Sequence, residues 1–176
     1  MDLRIPYTKK KWINGVLISG SLVSSVDTMQ PTAEIMKVGT LEIPGFGTGT
    51  YRWPVDNPHI CNGWLGYPGH LAIDIQNQYN LYGPIYAADR GVIDENSYHP
   101  ISGNYVFITH NNGFRTYYGH MSVPSPLPVG TIVDKGDVIG TLGMTGRASC
   151  PHTHFYIEAS DGTHINPCDG FLPCYE

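Results

Sequence analysis

No apolar run in the 176-residue chain approaches the roughly 18–20 residues that a membrane-spanning helix requires, so the sequence reads as that of a soluble protein. Charge is scarce as well: Asp, Glu, Lys and Arg together make up 14% of the residues, and the net charge is -5. Apart from Lys9, Lys10 and Lys11 the basic residues are scattered. The stripe of positive charge that nucleic acid demands is therefore missing, and no nucleic-acid partner is expected. Repeats of solenoid period and low-complexity tracts are absent. A basic start followed by W-I-N-G-V-L-I-S-G-S-L-V-S-S loosely imitates a leader, but Asn14, Gly15, Ser19, Gly20 and Ser21 interrupt its apolar run. Strands are expected there, with no clear signal peptide. Cysteine is limited to Cys61, Cys150, Cys168 and Cys174, which allow two disulfides in three pairings or four reduced thiols.

Helix signals are few, and what stands in their place is punctuation. The 21 Gly, 14 Pro and 12 Tyr, in a chain that is 41% hydrophobic, suit short strands joined by many turns. The expected fold is all-β, an antiparallel sheet scaffold. Residues 12–43 alternate loosely and end in P-G-F-G-T-G-T, which reads as a linker and sets a boundary near residue 47. Two parts follow: a β-like N-terminal segment over 1–47 and a main domain over 48–176. Strand candidates in the second part include G-H-L-A-I-D-I, N-Y-V-F-I-T-H, F-R-T-Y-Y-G-H and T-H-F-Y-I-E. Asn112-Gly113 between two of them is a hairpin signal, because both central positions of such a turn favour positive φ.

Two of these strands carry chemistry. Side chains of an extended chain alternate faces, so in C-P-H-T-H-F-Y-I-E the rings of His152 and His154 share one face while Thr153, Phe155 and Ile157 take the other. In G-H-L-A-I-D-I the same rule groups His70, Ala72 and Asp74 against Leu71, Ile73 and Ile75. Either pair alone is ordinary surface. Together they offer two imidazoles and a carboxylate with an open fourth position, the stoichiometry of a catalytic zinc site. If His154 joins His70 and Asp74, His152 sits two residues away, about 6–7 Å along the strand. There it can exchange a proton with the attacking water or steady an oxyanion. His120 continues the alternation Phe114, Thr116, Tyr118 and is expected to flank the same site.

G-H-L-A-I-D, Y-Y-G-H-M, G-M-T-G-R and P-H-T-H-F, in that order, resemble the lysostaphin-like zinc endopeptidases, which cut peptide bonds in bacterial peptidoglycan. The likeness runs from about Tyr51 to Cys174 and includes R-W-P-V, A-A-D-R-G-V-I and a V-G-T-I-V-D-K-G-D-V-I-G hairpin. It implies a β-sheet scaffold with a groove bordered by loops. It also implies Zn2+ held by His70, Asp74 and His154, with His120 and His152 as the catalytic histidines. With no ligand missing, an inactive relative is disfavoured. Two positions depart from the family pattern: Tyr156, where an acidic residue is common, and Cys150, where small or polar residues are usual. Cys150 reads as half of a disulfide bracing the active-site strand, with Cys168–Cys174 as the second pair, or else as a spare thiol near the metal.

Tyr79, Tyr82 and Tyr117 are candidates for the substrate groove, since aromatic rings bind peptide and glycan alike. His59, His99 and His164 read as solvated loop residues, and His110 as a packed or hydrogen-bonded one. The resemblance places the protein outside the cell or in the cell envelope. A phage tail or lysis component would also give residues 1–47 a docking role in a larger virion or envelope assembly. Two rival readings use the same residues: a 2-His-1-carboxylate iron oxygenase, whose usual His-to-Asp spacing is shorter, and a catalytically silent wall-binding or assembly module.

Overall fold

The computed structural model describes residues 8–13, 16–22 and 47–174. The chain divides into two units, Met1–Thr40 and Leu41–Glu176. In the first, strands β1 (Thr8–Ile13) and β2 (Val16–Leu22) pair antiparallel. Residues 14–15 and 23–43 of the loosely alternating stretch lie outside the described residues.

The described residues of the second unit form ten strands. They are β3 (Pro58–Asn62), β4 (Ile73–Asn77), β5 (Pro84–Tyr86), β6 (Gly91–His99), β7 (Gly103–Thr109), β8 (Phe114–Met121), β9 (Ile132–Val133), β10 (Val138–Thr141), β11 (Thr153–Ala159) and β12 (His164–Ile165). The main sheet runs β3-β4-β11-β8-β7-β6-β9, with β12 on β11, and β10 pairs with β5 in a small second sheet. Every ladder is antiparallel. The all-β antiparallel scaffold expected from the composition is the one observed, with no helix among the described residues.

Alternation sorts the sheet into two faces. Ile73, Ile75, Val106, Ile108, Tyr118, Phe155 and Ile157 are buried on one face in a cluster that includes Ile85, Ile139 and Leu142 of the small sheet and its edge. Each such aliphatic or aromatic side chain contributes about 1.5–3 kcal/mol of burial. The other face carries a smaller aromatic cluster of Ala72, Phe107, Tyr117 and Tyr156. Tyr117 and Tyr156 stack across β8 and β11 at 4.7 Å between ring centroids. His154 lies on this second face, beside Tyr156.

Four expectations are corrected in detail. G-H-L-A-I-D-I becomes strand only from Ile73, because residues 63–70 fold into a turn closed by Leu65 N–H to His70 O and His70 N–H to Tyr67 O. Leu71 consequently stays 42% exposed instead of joining the core. The β7–β8 turn places positive φ at Asn111 and Gly113, not at Asn112, whose side chain accepts from Phe114 N–H. The V-G-T-I-V-D-K-G-D-V-I-G segment is not a hairpin. A tight turn between Asp134 and Asp137 sends β9 to β6 and β10 to β5. Of the cysteines, Cys168 and Cys174 are bonded as expected, but Cys150 is not part of a brace: it and Cys61 are free thiols. Burial, with Cys150 and Asp74 nearby, pushes the Cys61 thiol up to about 11.

Candidate metal centre

The pairing of β4 with β11 sets His154 directly across from Asp74. Side chains of directly opposed residues share a face and lie close enough to touch. His154 Nδ1 accordingly lies 2.9 Å from Asp74 Oδ1. His70 arrives from the turn before β4: its ring stacks on Tyr67 at 4.3 Å, and its Nδ1 sits 3.0 Å from the carbonyl of Gly63. A carbonyl can only accept, so in the neutral ring Nδ1 carries the proton and the lone pair of Nε2 is left facing inward. That Nε2 is 3.0 Å from Asp74 Oδ1 and 3.3 Å from His154 Nδ1.

Three electron-pair donors thus converge on one point in a site where His70 and Asp74 are each only 2% exposed. A shared cation would satisfy all three donors at once. Ligand atoms bound tetrahedrally to zinc at about 2.0–2.1 Å stand roughly 3.3 Å apart, and the donor spacings of 2.9–3.3 Å are close to that. The donor set therefore fits a zinc ion. Burial by itself would raise the Asp74 carboxyl, but the hydrogen bond with His154, the nearby His152 and the amide of Asn62 outweigh it. The group is held well below the usual carboxylate range.

Two further imidazoles border this cluster. His152 Nε2 is 3.5 Å from Asp74 Oδ1, and its Nδ1 is 2.8 Å from the carbonyl of Cys150. His120 Nδ1 is likewise 2.8 Å from the carbonyl of Thr145. Both rings are anchored through Nδ1, which leaves Nε2 as the atom free to take a proton. The His120 and His152 rings lie 4.7 Å apart, and His120 is 5.8 Å from His154. Burial, together with the neighbouring His152 and His154, pushes His120 down to about 4 despite the Thr145 carbonyl. It is neutral at neutral pH.

The path by which His120 reaches the site differs from simple alternation. Thr116 and Tyr118 are fully buried, and Tyr118 lies in the core cluster, so uninterrupted period-two geometry would send His120 the same way, opposite to His154. Between Asn104 and Val106 of β7 the register of β8 advances from Met121 to Tyr118, one residue too many. This bulge, with His120 at a φ of 60°, turns the ring back to the other face.

A cleft of about 400 Å³ opens beside the cluster, lined by Asn62, Tyr67, Ile101, Arg147 and Cys150 around Asp74, His120 and His152. Tyr79 and Tyr82 do not line this cleft and are 79% and 60% exposed, and Tyr117 is buried with its ring 6.2 Å from that of His154. His110 is buried between the Arg90 carbonyl and the Thr116 hydroxyl. His164 stacks on Tyr156 at 3.9 Å. Sequence reasoning passed over Asn62, whose Nδ2 donates to Asp74 Oδ2 at 3.0 Å, and Tyr67. It also passed over the carbonyls of Gly63, Thr145 and Cys150, because a backbone acceptor leaves no trace in residue type.

An antiparallel β scaffold with a buried His–Asp–His donor set beside two anchored imidazoles has the donor complement of a metal-dependent hydrolase site. Residues 68–167 match peptidase family M23, and the chain belongs to that family. Over 90 residues it is 42% identical to the peptidoglycan DD-endopeptidase ShyC of Vibrio cholerae, covering 51% of this chain and 20% of that protein. The chain spans about a fifth of the length of the curated relatives it matches. Among solved structures it is similar to a zinc-containing peptidase from Vibrio cholerae, with a TM-score of 0.62 at 27% identity, covering 70% of this chain and 40% of that one. Lysostaphin from Staphylococcus simulans aligns with a TM-score of 0.59 at 29% identity, covering 65% of this chain and 49% of that one.

Proposed function

We propose that residues 48–176 form a zinc-dependent endopeptidase that hydrolyses peptide bonds in bacterial peptidoglycan. His70, Asp74 and His154 hold the metal in this reading, and His120 and His152 move protons. The observation that carries it is the convergence of His70 Nε2, Asp74 Oδ1 and His154 Nδ1 at 2.9–3.3 Å, beside two imidazoles tied through Nδ1 to backbone carbonyls. Family membership and the likeness to the peptidoglycan DD-endopeptidase ShyC support the substrate.

Bound zinc supplies Lewis acidity toward the scissile carbonyl and lowers the pKa of the solvent it holds. The chain's own residues do the rest. One of the His120 and His152 rings accepts the proton of the attacking water at Nε2, and the other, in its doubly protonated form, donates from Nε2–H to the developing oxyanion. A protonated imidazole then delivers a proton to the leaving amine. The Thr145 and Cys150 carbonyls fix both rings, so neither has to reorient during the reaction.

The test pairs zinc content with cleavage of purified cell walls. His154→Ala and Asp74→Ala should lose both metal and activity. His120→Ala and His152→Ala should keep the metal and lose about 10²–10⁴-fold in turnover. Full activity in His154→Ala, or wall turbidity that falls equally with and without chelator, would defeat the proposal. Loss of metal in His152→Ala would mean that the two rings of His152 and His154 have exchanged roles.

Residues 1–47 are assigned by the same proposal to docking in a larger envelope or virion assembly, in an extracellular or cell-envelope setting. The division of the chain into units near residue 40 supports treating them separately. A truncation to 48–176 should retain wall cleavage while losing any such association.

A further inference from the structure

Resting on the peptidase reading above, we infer that Arg147 is a substrate-binding residue that selects peptides carrying a free carboxylate next to the scissile bond. The described arginines fall into two groups. Arg52 pairs with Asp56, Arg90 with Asp134 and Arg115 with Asp94 and Glu158. Arg147 alone among them has no carboxylate partner, and it is the one that lines the cleft beside His120 and His152.

Its base is held firmly. Arg147 N–H donates to the carbonyl of Ile101 at 2.8 Å. The preceding Gly146, at a φ of 76°, packs so closely that a Cβ there would lie 2.3 Å from the Ile101 oxygen. Two residues upstream, Thr145 is anchored by its hydroxyl to Met121 O at 2.7 Å and by its carbonyl to the His120 ring at 2.8 Å. The wall that orients His120 therefore also presents Arg147. Two residues of extended chain span about 7 Å, so the guanidinium starts within one or two substrate residues of the proton-transfer group. A planar fork of five donors with no acceptor capacity takes up a carboxylate through two parallel charge-assisted hydrogen bonds. In a chain of net charge -5, an uncompensated cation in the cleft is aimed at an anionic ligand.

The carboxylate can be a branch within a cross-linked stem peptide or the free C-terminus of an uncross-linked one. The experiment separates these sources. The zinc-loaded full chain is given a synthetic stem peptide as the free acid, with only the branch carboxylate amidated, and with only the C-terminus amidated. The wild type should prefer the acid by about tenfold or more in kcat/KM, chiefly through KM. Whichever amidation abolishes the preference identifies the source. In Arg147→Gln the acid-to-amide ratio should fall toward one, with zinc content unchanged, and Arg147→Lys should recover part of it. An unchanged ratio in Arg147→Gln, or an equal loss on every peptide, overturns the assignment. Absence of cleavage of all three peptides by the zinc-loaded wild type would count against the peptidase reading, and titration with the uncleaved acid and amide peptides would then still score Arg147, equal binding of the two overturning it.

Discussion

Replacing Asn62 with alanine removes a single hydrogen bond and should weaken zinc binding about tenfold. The two oxygens of Asp74 are divided between partners: Oδ1 faces His70 and His154 at 3.0 and 2.9 Å, and Oδ2 accepts from Asn62 Nδ2 at 3.0 Å. Asn62 owes its place to a bulge in β3, where the register slips between Ile60 and Asn62 so that Asn62 comes to stand opposite Asp74. A hydrogen bond to a charged group contributes about 1.5–3 kcal/mol. Asn62 is exposed, and water recovers part of that, so the lower end applies. About 1.4 kcal/mol is a factor of ten in affinity, at the weak end of the 10–100-fold range seen when a partner of a metal ligand is lost. The assay is competition with a chromophoric chelator, with circular dichroism confirming that the sheet is intact. Zinc affinity equal to wild type in a folded Asn62→Ala protein would refute the claim that Oδ2 is held in order to present Oδ1.

Gly103→Ala should separate turnover from metal binding. At a φ of 65° a Cβ would lie 2.1 Å from Thr145 Oγ1 and 2.4 Å from its carbonyl oxygen, displacing the group that holds His120. A misplacement on that scale costs about 10²-fold in turnover, and zinc content by metal analysis should stay unchanged. Acid should destabilise the metal-free protein. His120 titrates at about 4 when folded against an ordinary 6.5, so the unfolded chain binds a proton that the native one refuses, and stability present above 6.5 is lost as pH falls toward 4. The loss is at most about 3 kcal/mol, read from urea midpoints, and His120→Gln should flatten this part of the profile. Asp74, held low, adds a second loss below the ordinary carboxylate range. Thr153→Val should raise stability by about 1 kcal/mol in urea unfolding, since Thr153 Oγ1 is fully buried without a hydrogen-bond partner.

The all-β class, the antiparallel pairing and the shared face of residues 152 and 154 were legible because they follow from local rules of composition, turn chemistry and period-two alternation. Thr153, Phe155 and Ile157 are buried while His152 and His154 face Asp74, as that rule requires. The grouping of His70, Asp74, His120, His152 and His154 rested on motif order as well as alternation. Local rules failed wherever backbone geometry departs from the regular strand. The turn over residues 63–70 moved His70 out of β4 and left Leu71 in solvent.

By itself, then, the sequence determined which residue types could meet around a metal and that strands would carry them. Only the tertiary structure decided that His120 and Asn62 reach the same face as those residues, and what holds each ring there. His120 reaches the site through a bulge that reverses its side of β8, and Asn62 reaches Asp74 through a bulge in β3. His70, His120 and His152 are oriented by the carbonyls of Gly63, Thr145 and Cys150. Bulges and backbone acceptors are set by pairing between segments distant in the chain. Since any residue can supply a carbonyl, neither leaves a mark in the order of side chains.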